Sequence, residues 1–297
     1  MKNIIIIKLL PLVLLLLPTI SLSQNETLGP IILPGTNQHL IHSESIDQQF
    51  RIYVSLPESY ESSTESYPIV FMLDGDSMYT YTYGNARTAQ YLGSIPELIL
   101  VGIGYESANP RGYLGLRYRD YTPTIDEEQM QIYKSRSGDV KMPDHLSTGG
   151  AEDFYQFIES ELKPYIYSTY RADTSDETLM GYSLGGLFTS FVLFNHTNAY
   201  ERYVAGSPSL WFDSNITFSY EEEYARNHSD MDVSAFMSVG SLETPDIMYQ
   251  NIQNMAEKLN SRSYPNLNFE FTILEGETHI SGMSTSLNRG LLSVFAD

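Results

Sequence analysis

The stretch Glu177-Thr-Leu-Met-Gly-Tyr-Ser-Leu-Gly-Gly-Leu-Phe188 contains the pentapeptide Gly181-Tyr182-Ser183-Leu184-Gly185, a match to G-x-S-x-G. Leu179-Met180 closes a short apolar run that reads as the end of a strand. Leu187-Phe188-Thr189-Ser190-Phe191-Val192-Leu193-Phe194 is apolar and long enough for a buried helix. A serine on so sharp a strand-to-helix turn has a strained backbone and is crowded by the residues two places away. Glycine at 181 and 185 removes the side chains that would clash. The helix that follows aims its first N–H groups at the place where negative charge develops on an acyl substrate. The plainer reading of such a pentapeptide is a glycine-rich turn with a solvent-exposed serine. Strand, turn, helix and the additional Gly186 together favour a nucleophile elbow, with Ser183 as nucleophile.

A serine hydroxyl is a poor nucleophile until a base takes its proton, so the next question is which histidine serves. After such an elbow the chain order is serine, acid, histidine. His196, His228 and His279 all follow Ser183. His196 falls at the end of the helix that the elbow starts, and His228 sits in a polar loop. Only His279 follows a strand, in a loop past its C-terminal end, where the reactive groups of open α/β sheets collect. His279 is therefore the expected base. For the acid, Glu243 and Asp246 both follow the preceding strand, Ala235–Val239. Asp246 has an ordinary explanation as an early residue of a helix capped by Thr244 and opened by Pro245. Glu243 lies in the loop proper and is the expected acid. The oxyanion hole combines the backbone N–H of Leu184 with one from the loop Asp74-Gly75-Asp76. The paired carboxylates of Asp74 and Asp76 suggest a metal, but no histidine or further acidic cluster accompanies them, so no metal or other cofactor is expected.

Outward from the elbow, the chain reads as α/β with a mostly parallel central sheet and helices on both faces. Phe50, Ile52 and Val54 alternate with Arg51 and Tyr53 across a strand within Ile46–Leu56. Tyr67–Leu73 and Glu97–Gly104 are continuous apolar runs, as in buried central strands. Residues 105–148 are polar, without a sustained period, and read as a lid-like insertion carrying Arg111, Arg117 and Arg119. Phe154, Phe157, Ile158, Leu162 and Tyr165 mark a helix that Pro164 is expected to kink or end. Met248, Ile252, Met255 and Leu259 mark another, and Phe269–Leu274 is the last strand.

Residues 1–23 read as a signal peptide. Lys2 and Lys8 precede and flank an apolar core bracketed by Pro11 and Pro18, and Ser21-Leu22-Ser23 offers cleavage after Ser23. The apolar run is short for a spanning helix, so no stable membrane association is expected after cleavage. Residues 24–40, rich in Pro, Gly, Asn and Gln, read as an unstructured lead-in, leaving 41–297 as one domain. The formal charge of −20, deepened by loss of Lys2 and Lys8, argues against nucleic acid and against anionic membranes as partners. With no cysteine, disulfides and thiolate chemistry are excluded.

Several segments together resemble one family. They are Tyr67-Pro-Ile-Val-Phe-Met-Leu-Asp-Gly-Asp76, Arg119-Asp-Tyr-Thr-Pro123, Gly149-Gly-Ala-Glu-Asp-Phe154 with Glu161-Leu-Lys-Pro-Tyr165, Gly181–Phe188, and Ser207-Pro-Ser-Leu-Trp211. In order and approximate spacing they resemble the esterase D and enterobactin-esterase-like branch of the α/β hydrolases across residues 41–297. The resemblance implies a single-domain α/β-hydrolase fold, a serine esterase with Ser183 as nucleophile and His279 as base, and Asp76 as donor of the second oxyanion amide. Tyr182 departs from the histidine common in the family; its side chain is expected to point away from the nucleophile with little consequence. The family spans siderophore esterases, S-formylglutathione hydrolases, feruloyl-type carbohydrate esterases and mycolyltransferases, and secretion disfavours the cytosolic thioester. The leading expectation is a secreted or periplasmic carboxylic-ester hydrolase working through an acyl-enzyme on a small-molecule ester of siderophore, aromatic or carbohydrate type. For a siderophore, Arg111, Arg117 or Arg119 would contact the catecholate, the plainer reading being a solvated loop; Tyr79, Tyr81 and Tyr83, which alternate after the oxyanion loop, would line an aromatic acyl pocket or equally be ordinary packing. The alternatives are an acyltransferase of the same fold and a catalytically silent binding protein.

Overall fold

The computed structural model describes residues 29–106, 113–136 and 147–296; the expected signal peptide and cleavage point, Arg111, and much of the expected insertion lie outside them. The compact unit begins at Gly35. Its eight strands are β1 (Thr36–Ser43), β2 (Gln48–Ser55), β3 (Tyr67–Met72), β4 (Ile99–Tyr105), β5 (Ala172–Tyr182), β6 (Arg202–Gly206), β7 (Ser234–Gly240) and β8 (Asn268–Leu274). They form one sheet in the order β1-β2-β4-β3-β5-β6-β7-β8. β1 and β2 pair antiparallel, as do β2 and β4; every other pairing is parallel. Parallel neighbours need a crossover, and the intervening sequence supplies α1 (Gly75–Tyr91), α6 (Leu184–Asn195), α7 (Phe212–Asn227) and α8 (Gln250–Arg262). α9 (Gly282–Val294) closes the chain.

Strand alternation decides which layer each side chain enters. Ile69 and Phe71 on β3, Val101 and Ile103 on β4, Leu179 on β5, Tyr203 and Ala205 on β6 and Met237 and Val239 on β7 share one core with α6 and with α4 (Ala151–Phe157). Val204 and Phe236, one residue out of phase, meet α9 instead, at Gly290. α9 packs along β5 to β8 and against α1. The main core is aromatic: Phe50 of β2 stacks on Phe157 with ring centroids 4.2 Å apart, and Phe154 and Phe188 continue the cluster.

Three sequence expectations change. The lead-in overlaps β1, whose eight residues pair in full register with β2, because backbone bonds to a strand already in place need little apolar patterning. Pro164 does not end its helix: α4 widens into a π-helical segment, Ile158–Leu162, and continues as α5 (Lys163–Thr169) with the proline in its first turn. The wide turn accommodates the missing N–H and the ring that would collide with a preceding carbonyl. The insertion is not simply irregular, since it contains α2 (Tyr113–Asp120) and α3 (Glu127–Arg136). No helix among the described residues is long and apolar enough to cross a membrane.

Phe157 has no exposed surface and touches rings from both β2 and α4. Phe157→Ala is expected to lower unfolding free energy by about 3–5 kcal/mol. Urea denaturation should show a lower midpoint at unchanged slope.

Candidate active site

The Gly181–Gly185 segment is a strand-to-helix elbow. β5 ends at Tyr182, α6 begins at Leu184, and Ser183 between them has φ 60° and ψ −117°, a region that L-residues avoid. A Cβ on Gly181 would collide with the carbonyl of Gly185, so only glycine lets the turn close this tightly. Ser183 N–H donates to the Gly206 carbonyl (2.9 Å), and its own carbonyl accepts from Leu187 and Ser209 (2.9 and 3.0 Å). The nucleophile candidate is thus pinned by both neighbouring elements.

His279 follows β8 in the loop before α9. Its Nε2 lies 2.9 Å from Ser183 Oγ and its Nδ1 2.7 Å from Glu243 Oε2. The three residues come from loops after β5, β7 and β8, parallel strands of one sheet with β6 between the first two, so all three loops leave its C-terminal end. Glu243 is reached by a tight turn, its N–H donating to the Gly240 carbonyl (3.1 Å), and Oε1 accepts from the Gly240 N–H (2.9 Å). Ser207 Oγ adds contacts of 2.7 Å to each carboxylate oxygen. Burial alone would raise the pKa of the Glu243 carboxyl; bonds from His279, Gly240 and Ser207 outweigh it and hold the pKa below the ordinary glutamate value. Asp246 lies exposed on the π-helical turn Pro245–Tyr249, away from the imidazole contacts.

The loop after β3 is also fixed in place. Asp74 takes φ 54° just before α1, and its buried carboxylate accepts two parallel bonds from Arg117 (2.7 and 2.8 Å). Its N–H donates to Tyr121 Oη (3.1 Å). Asp76 turns its carboxylate toward β2 and β4, accepting from Tyr53 Oη (2.8 Å) and the Tyr105 N–H (2.6 Å). Burial is the main influence on Asp76 and raises its pKa. Both carboxylates are therefore engaged by protein donors. Arg119 pairs with Asp120 (2.6 Å), so neither Arg117 nor Arg119 is an unpaired cation. Tyr79 and Tyr83 lie on α1 and pack inward, Tyr79 stacking on Tyr53, while Tyr81 points to solvent. The trio is helical, and among the described residues Tyr81 lies on the face opposite Tyr79 and Tyr83.

Two recesses meet at Ser183 and His279. One, of about 530 Å³, is walled by Gln129, Ile132, Ser209, Trp211, Ile247 and Met248. The other, of about 280 Å³, is walled by Ser77, Met78, Leu114, Arg117, Ile280 and Met283. Of the insertion, α3 contributes Gln129 and Ile132 to the first wall and α2 contributes Leu114 and Arg117 to the second. His196 and His228 lie elsewhere, in a separate cavity with Tyr155 and Tyr224, where His196 Nε2 meets Glu152 (2.9 Å).

Two site contacts were not anticipated. Tyr182 points away from Ser183, as its place on the strand predicts, and its Oη donates to the His279 carbonyl (2.7 Å) while its ring lies against the imidazole (5.2 Å between centroids). Strand alternation sends it to the α9 face, over which the His279 loop folds. Ser207 was legible only as part of Ser207-Pro-Ser-Leu-Trp211, with nothing in the residue type to assign it a role.

A mostly parallel eight-stranded sheet with this elbow at the end of its fifth strand is the α/β-hydrolase architecture, here in the form of an esterase. The chain belongs to the Esterase family, whose model, described as "Putative esterase", matches residues 43–264. It is 31% identical over 273 residues to the ferri-bacillibactin esterase BesA of Bacillus subtilis, covering 89% of this chain and 91% of that protein. It is 26% identical to the siderophore triacetylfusarinine C esterase of Aspergillus fumigatus, covering 90% of this chain and 96% of the relative. The crystal structure of the BES protein from Bacillus cereus superimposes with a TM-score of 0.78 at 27% identity, covering 93% of this chain and all of that one. The chain thus falls in the siderophore-esterase-like branch, and it is an ester hydrolase.

Two predictions follow from the geometry around Glu243. Glu243→Gln should lower kcat by about 10²–10⁴-fold with little change in KM, whereas Asp246→Asn, made in parallel, should leave kcat within about twofold; loss in the second and not the first would reverse the assignment. A carboxyl whose pKa is lowered by folding adds stability that is fully present above its ordinary value and lost as the pH falls through the folded value. The Tm gap between wild type and Glu243→Gln should therefore narrow below about pH 4.5, the ordinary glutamate value.

Proposed function

We propose that this protein is a secreted serine esterase that hydrolyses siderophore-type esters through an acyl-enzyme. The observation that carries the reading is the unbroken line Ser183 Oγ, His279 Nε2, His279 Nδ1, Glu243 Oε2, with steps of 2.9 Å and 2.7 Å across the ring. His279 takes the Ser183 proton as Oγ attacks the ester carbonyl, and the proton then passes to the leaving alcohol. Water repeats the sequence in reverse, releasing the acid and restoring the serine. The carboxylate of Glu243, buried and supplied with donors, keeps Nδ1 protonated and offsets the charge of the imidazolium. The oxyanion is received by the N–H of Leu184, at the start of α6, and by that of Asp76, in the first turn of α1. Such N–H groups have no intrahelical partner and point along the positive end of the helix dipole. With its carboxylate drawn to Tyr53 and Tyr105, Asp76 offers this site its backbone rather than its charge.

The substrate class rests on the relatives, two of which are named as esterases of ferri-bacillibactin and triacetylfusarinine C. The largely apolar walls of the two recesses suit bulky groups on each side of an ester. Secretion rests on the pattern of residues 1–23 and would bring the enzyme to such substrates outside the cytosol.

Ser183→Ala should reduce turnover of a p-nitrophenyl ester and of a siderophore ester by about 10⁴-fold or more, and a fluorophosphonate should label the tryptic peptide containing Ser183. Retention of more than a tenth of the activity, or labelling elsewhere, would remove the acyl-enzyme reading. Turnover with an added alcohol, analysed for transfer products, separates hydrolysis from acyl transfer.

A further inference from the structure

Ser207 lies immediately after β6, the strand between the one that carries the nucleophile and the one that leads to the acid. Its backbone takes φ 38° although it is not glycine and precedes a proline, which disfavours helical-type backbone for the residue before it. The side chain is 1% exposed. Its N–H donates to the Ser238 carbonyl on β7 (2.9 Å), which fixes the hydroxyl between the loops of β6 and β7. Oγ stands 2.7 Å from both oxygens of Glu243 and 3.2 Å from Nδ1 of His279. A strained, buried serine touching both acid and base is a larger commitment than packing requires.

We propose that Ser207 is a positioning residue of the esterase, holding the Glu243 carboxylate in the plane that keeps Oε2 aimed at the imidazole; the proposal rests on the Ser183–His279–Glu243 reading above. The hydroxyl has one proton to give, and the carboxylate is its acceptor. Glu243 then receives bonds from Ser207, the Gly240 N–H and His279, the first two fixed to the ends of β6 and β7. Removing the Ser207 bond leaves Oε1 tied to Gly240 alone and Oε2 to the imidazole alone, so the carboxylate plane is less firmly set. A lone pair of Ser207 Oγ also faces Nδ1–H at 3.2 Å, a second acceptor for the imidazolium that forms as Ser183 loses its proton. Both effects act on the charged transition state and not on bound substrate, so they belong in kcat.

The test compares Ser207→Gly, Ser207→Ala and Ser207→Thr in the full chain. Glycine removes the hydroxyl and relieves the strained φ, alanine removes it with the strain retained, and threonine keeps a hydroxyl. The expected result is a fall in kcat of about 10–100-fold in both the glycine and alanine variants, with KM within about twofold. Threonine should recover part of the loss. Full kcat in a folded Ser207→Gly, a rise in KM with kcat unchanged, or no recovery of kcat in a folded Ser207→Thr would each overturn the proposal. Ser183→Ala, run alongside, separates the two readings: if it stays active the esterase site itself is misplaced, whereas if it is dead while Ser207→Gly is normal, only the role of Ser207 fails.

Discussion

Ser183 is held at a backbone geometry that the polypeptide would not choose, and much of the molecule serves to hold it there. A strained non-glycine residue costs on the order of 1–3 kcal/mol and persists only when its surroundings over-determine it. Here β5 is central, with β3 on one side and β6 on the other, and the helix leaving the turn is buried along nearly its whole length. Gly206 and Ser209 close the turn from the β6 side through backbone bonds. The apolar character of Leu184–Phe194 is thus a mechanical requirement as much as a consequence of burial.

The second fixed point is the ion pair of Asp74 with Arg117. Both side chains are largely out of water, where the attraction between charges is offset by the loss of hydration. Its geometry is bidentate, which restricts orientation as well as distance. It ties α2 to the loop after β3, so the insertion is anchored at the point where it borders Ser183. Burial alone would lower the pKa of the Arg117 guanidinium, but the neighbouring carboxylate prevails and raises it.

How much of this could be read from the sequence depended on whether a residue's role is written in its local pattern. The elbow was legible because glycine spacing and a change of hydrophobic period are local signals. His279 and Glu243 were placed because each lies just past an apolar strand, and the parallel topology brings such ends together. What escaped were relations across the fold. The contact of Ser207 with Glu243 joins two loops 36 positions apart, and nothing in Ser-Pro-Ser records it. The contact of Tyr182 with His279 escaped as well, because pointing away from Ser183 also means pointing toward the loop that carries His279. Helix α1 was missed because its tyrosines mimic a strand alternation when viewed two at a time, although Tyr79 and Tyr83 share one helix face. β1, polar and exposed on most of its length, is held by backbone pairing and left no hydrophobic trace.

The sheet has two open borders, and β8 forms one of them. It is also among the least buried of the strands, with Asn268 and Glu270 exposed and only Leu274 fully enclosed. A border strand opens more readily than the interior, because fewer packed contacts must be given up to free it. Since His279 hangs from the end of β8, the imidazole travels with that border whenever it frays. Ser183, by contrast, follows a strand that is paired on both sides. On the proposed triad, opening of this border parts His279 from Ser183 while the aromatic core stays packed.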